Sequence, residues 1–365
     1  MTDLDLNISY RTDFYKSLFK NIQFDDQRKT INVYDDLLEE YKTLYSGVAL
    51  RDISHFGLFE LQGKEILDFL HRVSTNSLKE LQPNYSEVTL FTNEKGRIID
   101  RSVVMNFGET VQLISSEYYR HKLFSWINKY IIMEDIKIYD ATGKYSVYEL
   151  LGPQADSFST LIFDSDIDRL IINQFKSFSV NSEDYFIFKK KKYDVEKYWI
   201  ICKSMQGNDL IKYMMEHKSV FDFRLVGETA YEKFRIEKGI PKAPNEINDL
   251  YNPYETGLID EVNFTKGCYI GQEVIARLDT YDKVQRTLCG VFINSEEIPK
   301  DNLFLHDGNR EVGNITSVAF SPSLKSNIGL AYIKKEFNEN GKTVVAKSEE
   351  GTEYQVTITA LPIKK

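Results

Sequence analysis

From about residue 282 to the end of the chain every legible pattern is a strand. VQRTLCGVFI, REVGNITSVAF, NIGLAYIKK, KTVVAKS and YQVTITAL follow one another, divided by Gly, Asn and Asp turns. Short alternating strands in succession, with no helical period among them, fold as a small closed barrel or a sandwich. The first 280 residues read differently. Helical spacing in DDLLEEYKTLY, KEILDFLHRV, SEYYRHKLFSWINKYIIM, DLIKYMMEH and ETAYEKFRIEKG is interleaved with strand-like GLFELQG, EVTLFTN, RIIDRSVVMNF, TVQLIS, DIKIYDA, KYSVYELLG, FSVNSEDYFIFKK and KYWIICKS. No regular strand–helix–strand alternation appears, so an α+β fold with antiparallel sheets is expected rather than a doubly wound one. Residues 1–32 read as an extended leader packed on something larger. Residues 33–280 read as an α+β region of two related sub-domains, with a possible break near 150–165, and residues 281–365 as the barrel. Ser116 is the expected N-cap of the helix that follows it.

The chain has 365 residues, 42% of them apolar and 28% charged, which suits a packed globular protein. Its 46 basic and 55 acidic side chains give a net charge of −9, which repels phosphate backbones on average. Direct nucleic-acid binding is not expected. No stretch reaches the roughly 18 consecutive apolar residues of a membrane span. The three cysteines, Cys202, Cys268 and Cys289, form no CxxC pair, and with the absence of a signal-peptide pattern they suggest a reducing, cytoplasmic setting. The five histidines are scattered, and no metal-ligand cluster is legible.

Chemistry concentrates after residue 240. From Pro241 to Thr265 the chain carries three of its eight prolines and little periodicity, the mark of an ordered functional loop. It leads into Lys266-Gly267-Cys268-Tyr269-Ile270-Gly271-Gln272-Glu273, followed by Arg277. If Thr265 to Tyr269 is extended, Lys266 and Cys268 share a face. If Gly271 to Arg277 opens a helix, Cys268 precedes a helix N-terminus. Both effects would favour the thiolate, and Gly267 and Gly271 would allow close backbone approach or positive φ. The alternative is a buried cysteine acting as a small hydrophobe.

KGCYIGQE reproduces the K-G-C-Y-x-G-Q-E signature of the YgfZ-type folate-binding proteins, within the superfamily of the glycine-cleavage T-protein (aminomethyltransferase). Arg235-Ile236-Glu237-Lys238-Gly239-Ile240-Pro241 resembles the superfamily's R-x-E-x-G-x-P element, and Pro253-Tyr254-Glu255 its P-x-E. The block with Asp52 and Ser54 is similar to its N-terminal D-x-S element. The resemblance implies two α+β sub-domains and a C-terminal barrel around a central channel for tetrahydrofolate. Where T-proteins carry G-x-I-D-D, with an aspartate near folate N5, this chain reads Gly96-Arg97-Ile98-Ile99-Asp100-Arg101. Ser115 stands where they carry an asparagine, and their Y-T-G-E element has no evident counterpart.

On that resemblance Asp100 and Cys268 are the candidate catalytic groups, and Asp100, Arg101, Ser115, Arg235, Glu237 and Glu255 the candidate folate contacts. Arg235 would clamp the glutamate tail or pair with Glu232 or Glu237. Glu255 and Arg277 would brace the loop against the barrel. The implied function is folate-dependent support of iron–sulfur cluster assembly or repair, and so indirectly of tRNA modification, by a monomer working with iron–sulfur client or assembly proteins. The alternatives are a glycine-cleavage aminomethyltransferase and a non-catalytic folate-binding module. Whether the chain is an enzyme turns on Arg101, because an arginine there would repel the cation that aminomethyl transfer develops.

Overall fold

In the computed structural model, residues 3–25, 29–280, 284–299 and 302–364 are described. The chain opens with helix α1 (Asp3–Leu18), strands β1 (Gln23–Asp25) and β2 (Thr30–Val33), α2 (Leu37–Ser46), β3 (Val48–Asp52), β4 (Leu58–Gly63) and α3 (Ile66–Val73). Next come β5 (Tyr85–Thr92), β6 (Ile98–Asn106), β7 (Thr110–Ile114), α4 (Arg120–Tyr130), β8 (Ile136–Asp140), β9 (Tyr145–Leu151) and α5 (Ala155–Phe163). They are followed by β10 (Phe175–Val180), β11 (Glu183–Lys192), β12 (Val195–Lys203), α6 (Ser204–His217), β13 (Phe223–Leu225), α7 (Glu228–Lys238) and α8 (Gln272–Thr280). The last strands are β14 (Arg286–Asn294), β15 (Leu303–Asp307), β16 (Arg310–Ser321), β17 (Ser326–Lys334), β18 (Thr343–Ser348) and β19 (Glu353–Thr359).

Two compact units result. The first runs through Phe69 and adds Leu78–Glu87 and Ser102–Tyr231; the second takes Leu70–Ser77, Val88–Arg101 and the chain from Glu232 onward. Residues 150–165, where a break was expected, lie inside the first unit. The expected boundary at 280/281 adjoins residues 281–283, which lie outside the described residues.

The first unit holds a six-stranded sheet in the order β10-β11-β12-β9-β3-β13. Only β13 runs parallel to its neighbour; the other pairs are antiparallel. Its apolar face buries Leu50, Tyr148, Leu150, Ile187 and Ile200 against Phe158, Leu210 and Met214. A five-stranded sheet has the order β5-β6-β7-β4-β8. In the second unit β14-β17-β16-β15-β18-β19 close into a barrel. Inward residues such as Val291, Leu305, Ile333 and Val356 fill it, as a six-stranded barrel requires.

Three local expectations need correction. Residues 3–18 are helical rather than extended, and α1 is tied down by its own side chains. Phe14 and Tyr15 enter the core, Arg11 hydrogen-bonds Asp52 and Ser54, and the Tyr15 hydroxyl donates to Asp52 at 2.7 Å. Asp52 and Ser54, picked out by resemblance, thus serve as the clasp for this helix. Second, Ser116 is not the N-cap of α4: Tyr118 takes φ +66°, and the helix begins only at Arg120, behind Tyr119. Third, FSVNSEDYFIFKK is a hairpin rather than one strand, because Asn181 (φ +52°) and Ser182 (φ +66°) form the two-residue turn between β10 and β11.

Candidate functional site

The segment from Thr265 to Tyr269 is an irregular turn, not a strand. Lys266 and Cys268 therefore do not share a face, contrary to the alternation argument. Lys266 is buried, and its ammonium donates to the carbonyl oxygens of His71, Ser74 (2.6 Å) and Asn76 (2.8 Å). These carbonyls end and follow α3, where the helix leaves its last C=O groups unpaired and its dipole is negative. Lys266 is a helix cap. Burial pushes its pKa down to about 8, and the three carbonyl oxygens act against that loss of charge. Its Nζ also lies 5.2 Å from the centre of the Tyr269 ring. Tyr269 is buried, its hydroxyl has no hydrogen-bond partner among the described residues, and burial pushes the phenol up to about 12.

Cys268 is exposed, whereas Cys202 and Cys289 are buried. It borders an open hollow lined by His71, Arg72, Gly267, Cys268, Tyr269 and Ile270. His71 and Arg72, from the last turn of α3, were not singled out by the sequence; only the fold brings them beside residue 268. Gly271 takes φ +84°, and a Cβ there would sit 2.5 Å from the Asn93 carbonyl oxygen. Gly267 needs neither positive φ nor a close approach. Helix α8 opens at Gln272, and exposed Arg277 pairs with Glu273 at 2.5 Å on its own helix.

Asp100 and Arg101 divide the work of their strand. Asp100 is fully buried and accepts the backbone N–H of Arg101 at 2.8 Å. Arg101 is partly exposed and meets Glu261 in a fork, Nε to Oε2 at 2.8 Å and Nη2 to Oε1 at 2.6 Å. Glu261, inside the irregular loop, went unremarked in the sequence because nothing in a run of scattered acids marks the one that will face an arginine.

Arg235 is buried with all five N–H groups committed. Its Nε and Nη2 reach Glu232, Nη1 reaches the Ile240 carbonyl (3.1 Å) and Glu246 (3.1 Å), and Nη2 also reaches Ser317 (2.6 Å). A guanidinium has five N–H donors, so this one has none left for a folate tail. Glu237 is buried, and its backbone carbonyl accepts from Ile363. Glu255 accepts from Arg97 (2.6 Å) and from the Asn252 N–H (3.0 Å), while its carbonyl takes the Leu288 N–H of β14 (2.9 Å). It fastens the loop to the barrel's first strand.

In the first unit, Ser115 is buried at the end of β7, donating its hydroxyl to the Ser116 carbonyl and its N–H to Gly57. On the same strand Gln112 faces Glu60 and Met105 across the ladder, and its buried Oε1 has no hydrogen-bond partner among the described residues. Tyr145 donates to Glu60 at 2.6 Å. An acceptor buried without a donor carries a cost that a ligand N–H would remove. No group of three or more His, Cys, Asp or Glu among the described residues could hold a metal, and no helix there is long and apolar enough to cross a membrane.

Residues 11–266 match the family description "GCVT N-terminal domain" and residues 286–365 the "Glycine cleavage T-protein C-terminal barrel domain". The chain is 26% identical over 334 residues to the aminomethyltransferase of Chlorobium limicola, covering 90% of this chain and 91% of the relative. It is 27% identical over 372 residues to the mitochondrial aminomethyltransferase of Solanum tuberosum, covering 99% and 90%. The crystal structure of aminomethyltransferase T of the Bartonella henselae glycine cleavage system superimposes with a TM-score of 0.78 over 91% of each chain, at 18% identity, which speaks for the fold. This chain belongs to the glycine cleavage T-protein family.

Proposed function

We propose that this protein binds a reduced folate and supports iron–sulfur cluster assembly or repair, with Cys268 as its reactive group, and that it does not transfer aminomethyl groups. The observation carrying this reading is the Arg101–Glu261 fork at the position of the second G-x-I-D-D acid. A guanidinium there cannot steer a developing cation or take its proton. Cys268, in the motif shared with the YgfZ group, is the exposed thiol of the three.

The acceptor chemistry of the first unit suits a pterin, whose ring edge is rich in N–H donors. Gln112 Oε1 and Glu60 would hold such groups. Bound tetrahydrofolate would supply a carrier for one-carbon units at its ring nitrogens. The chain's own part is to orient that ring and to keep a thiol in reach of solvent.

Calorimetry with 5-formyltetrahydrofolate tests the ligand: binding is expected, weakened at least about tenfold in Gln112→Leu, which leaves a ring N–H without an acceptor. In a strain lacking the gene, wild type should restore iron–sulfur enzyme activity and Cys268→Ser should not. Full restoration by Cys268→Ser would remove the cysteine from the proposal. The second reading, aminomethyl transfer, is favoured by end-to-end similarity to aminomethyltransferases. Methylene-tetrahydrofolate formation from an aminomethyl-lipoyl carrier by the purified protein would establish it and overturn the first.

A further inference from the structure

One open cleft of about 540 Å³ on the barrel gathers Gln285, Arg286, Arg310, Lys334, Lys335 and Glu336. Four cations share it with one carboxylate, in a chain whose net charge is −9. Their arrangement runs against ordinary strand pairing. Arg286 of β14 and Lys334 of β17 are directly opposite in the antiparallel ladder. Residues in that relation project from one face of the sheet, and like charges so placed destabilise it. Elsewhere the same barrel pairs opposite charges: Lys347 faces Glu353 across β18 and β19, with an ion pair of 2.7 Å.

Among the described residues the cleft's one carboxylate, Glu336, pairs with Arg310 and not with Arg286 or Lys334. Arg310 pairs through Nη2 with Glu336 Oε1 at 2.6 Å and lies 5.2 Å from the centre of the Phe337 ring. Lys334 donates to the Glu311 backbone carbonyl at 2.6 Å. Among the described residues neither Lys334 nor Arg286 meets a carboxylate, and the Arg286 guanidinium makes no hydrogen bond or ion pair. A concave site lined by one sign of charge concentrates counter-ions, and its volume is that of a small-molecule site.

We propose that this cleft binds a small multivalent anion, a molecule bearing at least two phosphate or carboxylate groups. One group would sit between Arg286 and Lys334, and another would share Arg310 with Glu336. Arginine forks accept either chemistry in bidentate fashion. The inference does not rest on the folate reading, because neither probe below contains a pterin.

Calorimetry on the full chain with tripolyphosphate and with tri-γ-glutamate separates the two sources. At least one should bind at low ionic strength, and the tighter one assigns the ligand to phosphoryl or carboxylate chemistry. Affinity should fall at about 150 mM salt, where exposed charges are screened beyond about 8 Å. Arg286→Ala and Arg310→Ala should each weaken binding about tenfold or more. A thermal melt supplies a readout of opposite sign. Without ligand, Arg286→Ala should melt at or above the wild-type temperature, because it removes a like-charge pair, while losing the upward shift that the anion gives wild type. Failure of both probes to bind at low salt would overturn the proposal. So would undiminished binding to both variants, or a ligand-free Arg286→Ala protein that melts well below wild type.

Discussion

Arg235 and Arg101 lie in the same unit, both belong to motifs that suggest a folate contact, and both grip a carboxylate with two nitrogens. Their surroundings differ. Arg235 is 1% exposed and holds two carboxylates, a hydroxyl and a carbonyl. Arg101 keeps 27% of its side chain exposed and grips Glu261 with two nitrogens. A guanidinium with every donor engaged is part of the framework. One with an exposed side can still meet a ligand.

Removing the framework arginine should have the largest effect. Arg235→Met leaves Glu246, which is fully buried, without its cation, and breaking such a pair costs about 3–5 kcal/mol. A urea midpoint lowered to match checks this, and Arg235→Met/Glu246→Gln should recover part of the loss. Binding of a reduced folate well below the midpoint should be unchanged. A selective loss of affinity for the glutamylated form would mean that Arg235 reaches the tail after all.

The first unit offers a counterpart to that knot. Arg51 donates to Glu149 and to both oxygens of Glu228, and Glu149 also takes Lys197 and the Trp199 indole N–H. Burial raises the Glu149 pKa, but Lys197 and Arg51 outweigh it and hold the carboxyl at about 2, against 4.5 for an ordinary glutamate. A depressed carboxyl stabilises the fold above its unfolded pKa and loses that stability as pH falls toward the folded value. About 3 kcal/mol should therefore disappear between pH 4.5 and 2. Urea denaturation across that window should show the slope in wild type, and Glu149→Gln should flatten it.

Arg101→Met should cost less, about 1–3 kcal/mol, because the guanidinium is partly exposed although Glu261 is buried. Its value lies in the contrast. A loss of stability smaller than that of Arg235→Met, together with altered reduced-folate affinity, would set Arg101 apart from Arg235. A loss as large as that of Arg235→Met would erase the distinction.

How much of this was legible beforehand follows from what each signal depends on. Period and turn chemistry are local, so the barrel strands, the turn from Asn93 to Gly96 and the start of α8 could be read from the residues. Partners across the fold are not local. Nothing near Arg101 points to Glu261, nothing near Lys266 points to the end of α3, and nothing in residues 1–32 reveals that Arg11 and Tyr15 meet Asp52. Strand alternation at Lys266 is absent for the same reason. Alternation needs an extended backbone, whereas the buried end of α3 makes the stronger demand on that ammonium.

The smallest expected effect on stability belongs to Cys268→Ser, within about 0.5 kcal/mol, because the side chain is exposed and unburdened by packing. It makes the cleanest test of how the motif divides its work. Burial pushes the Cys202 and Cys289 thiols up to about 12, so neither forms thiolate near neutral pH or meets a reagent. Titration of the native protein with an aromatic disulfide should therefore release one equivalent quickly and three only after denaturation. Cys268→Ser should abolish the fast equivalent without shifting the urea midpoint. If Lys266 and Cys268 acted as a pair, Lys266→Met would slow that equivalent in proportion to lost thiolate. With the ammonium capping α3 instead, the variant should lower stability, and the thiol should react no more slowly than in wild type.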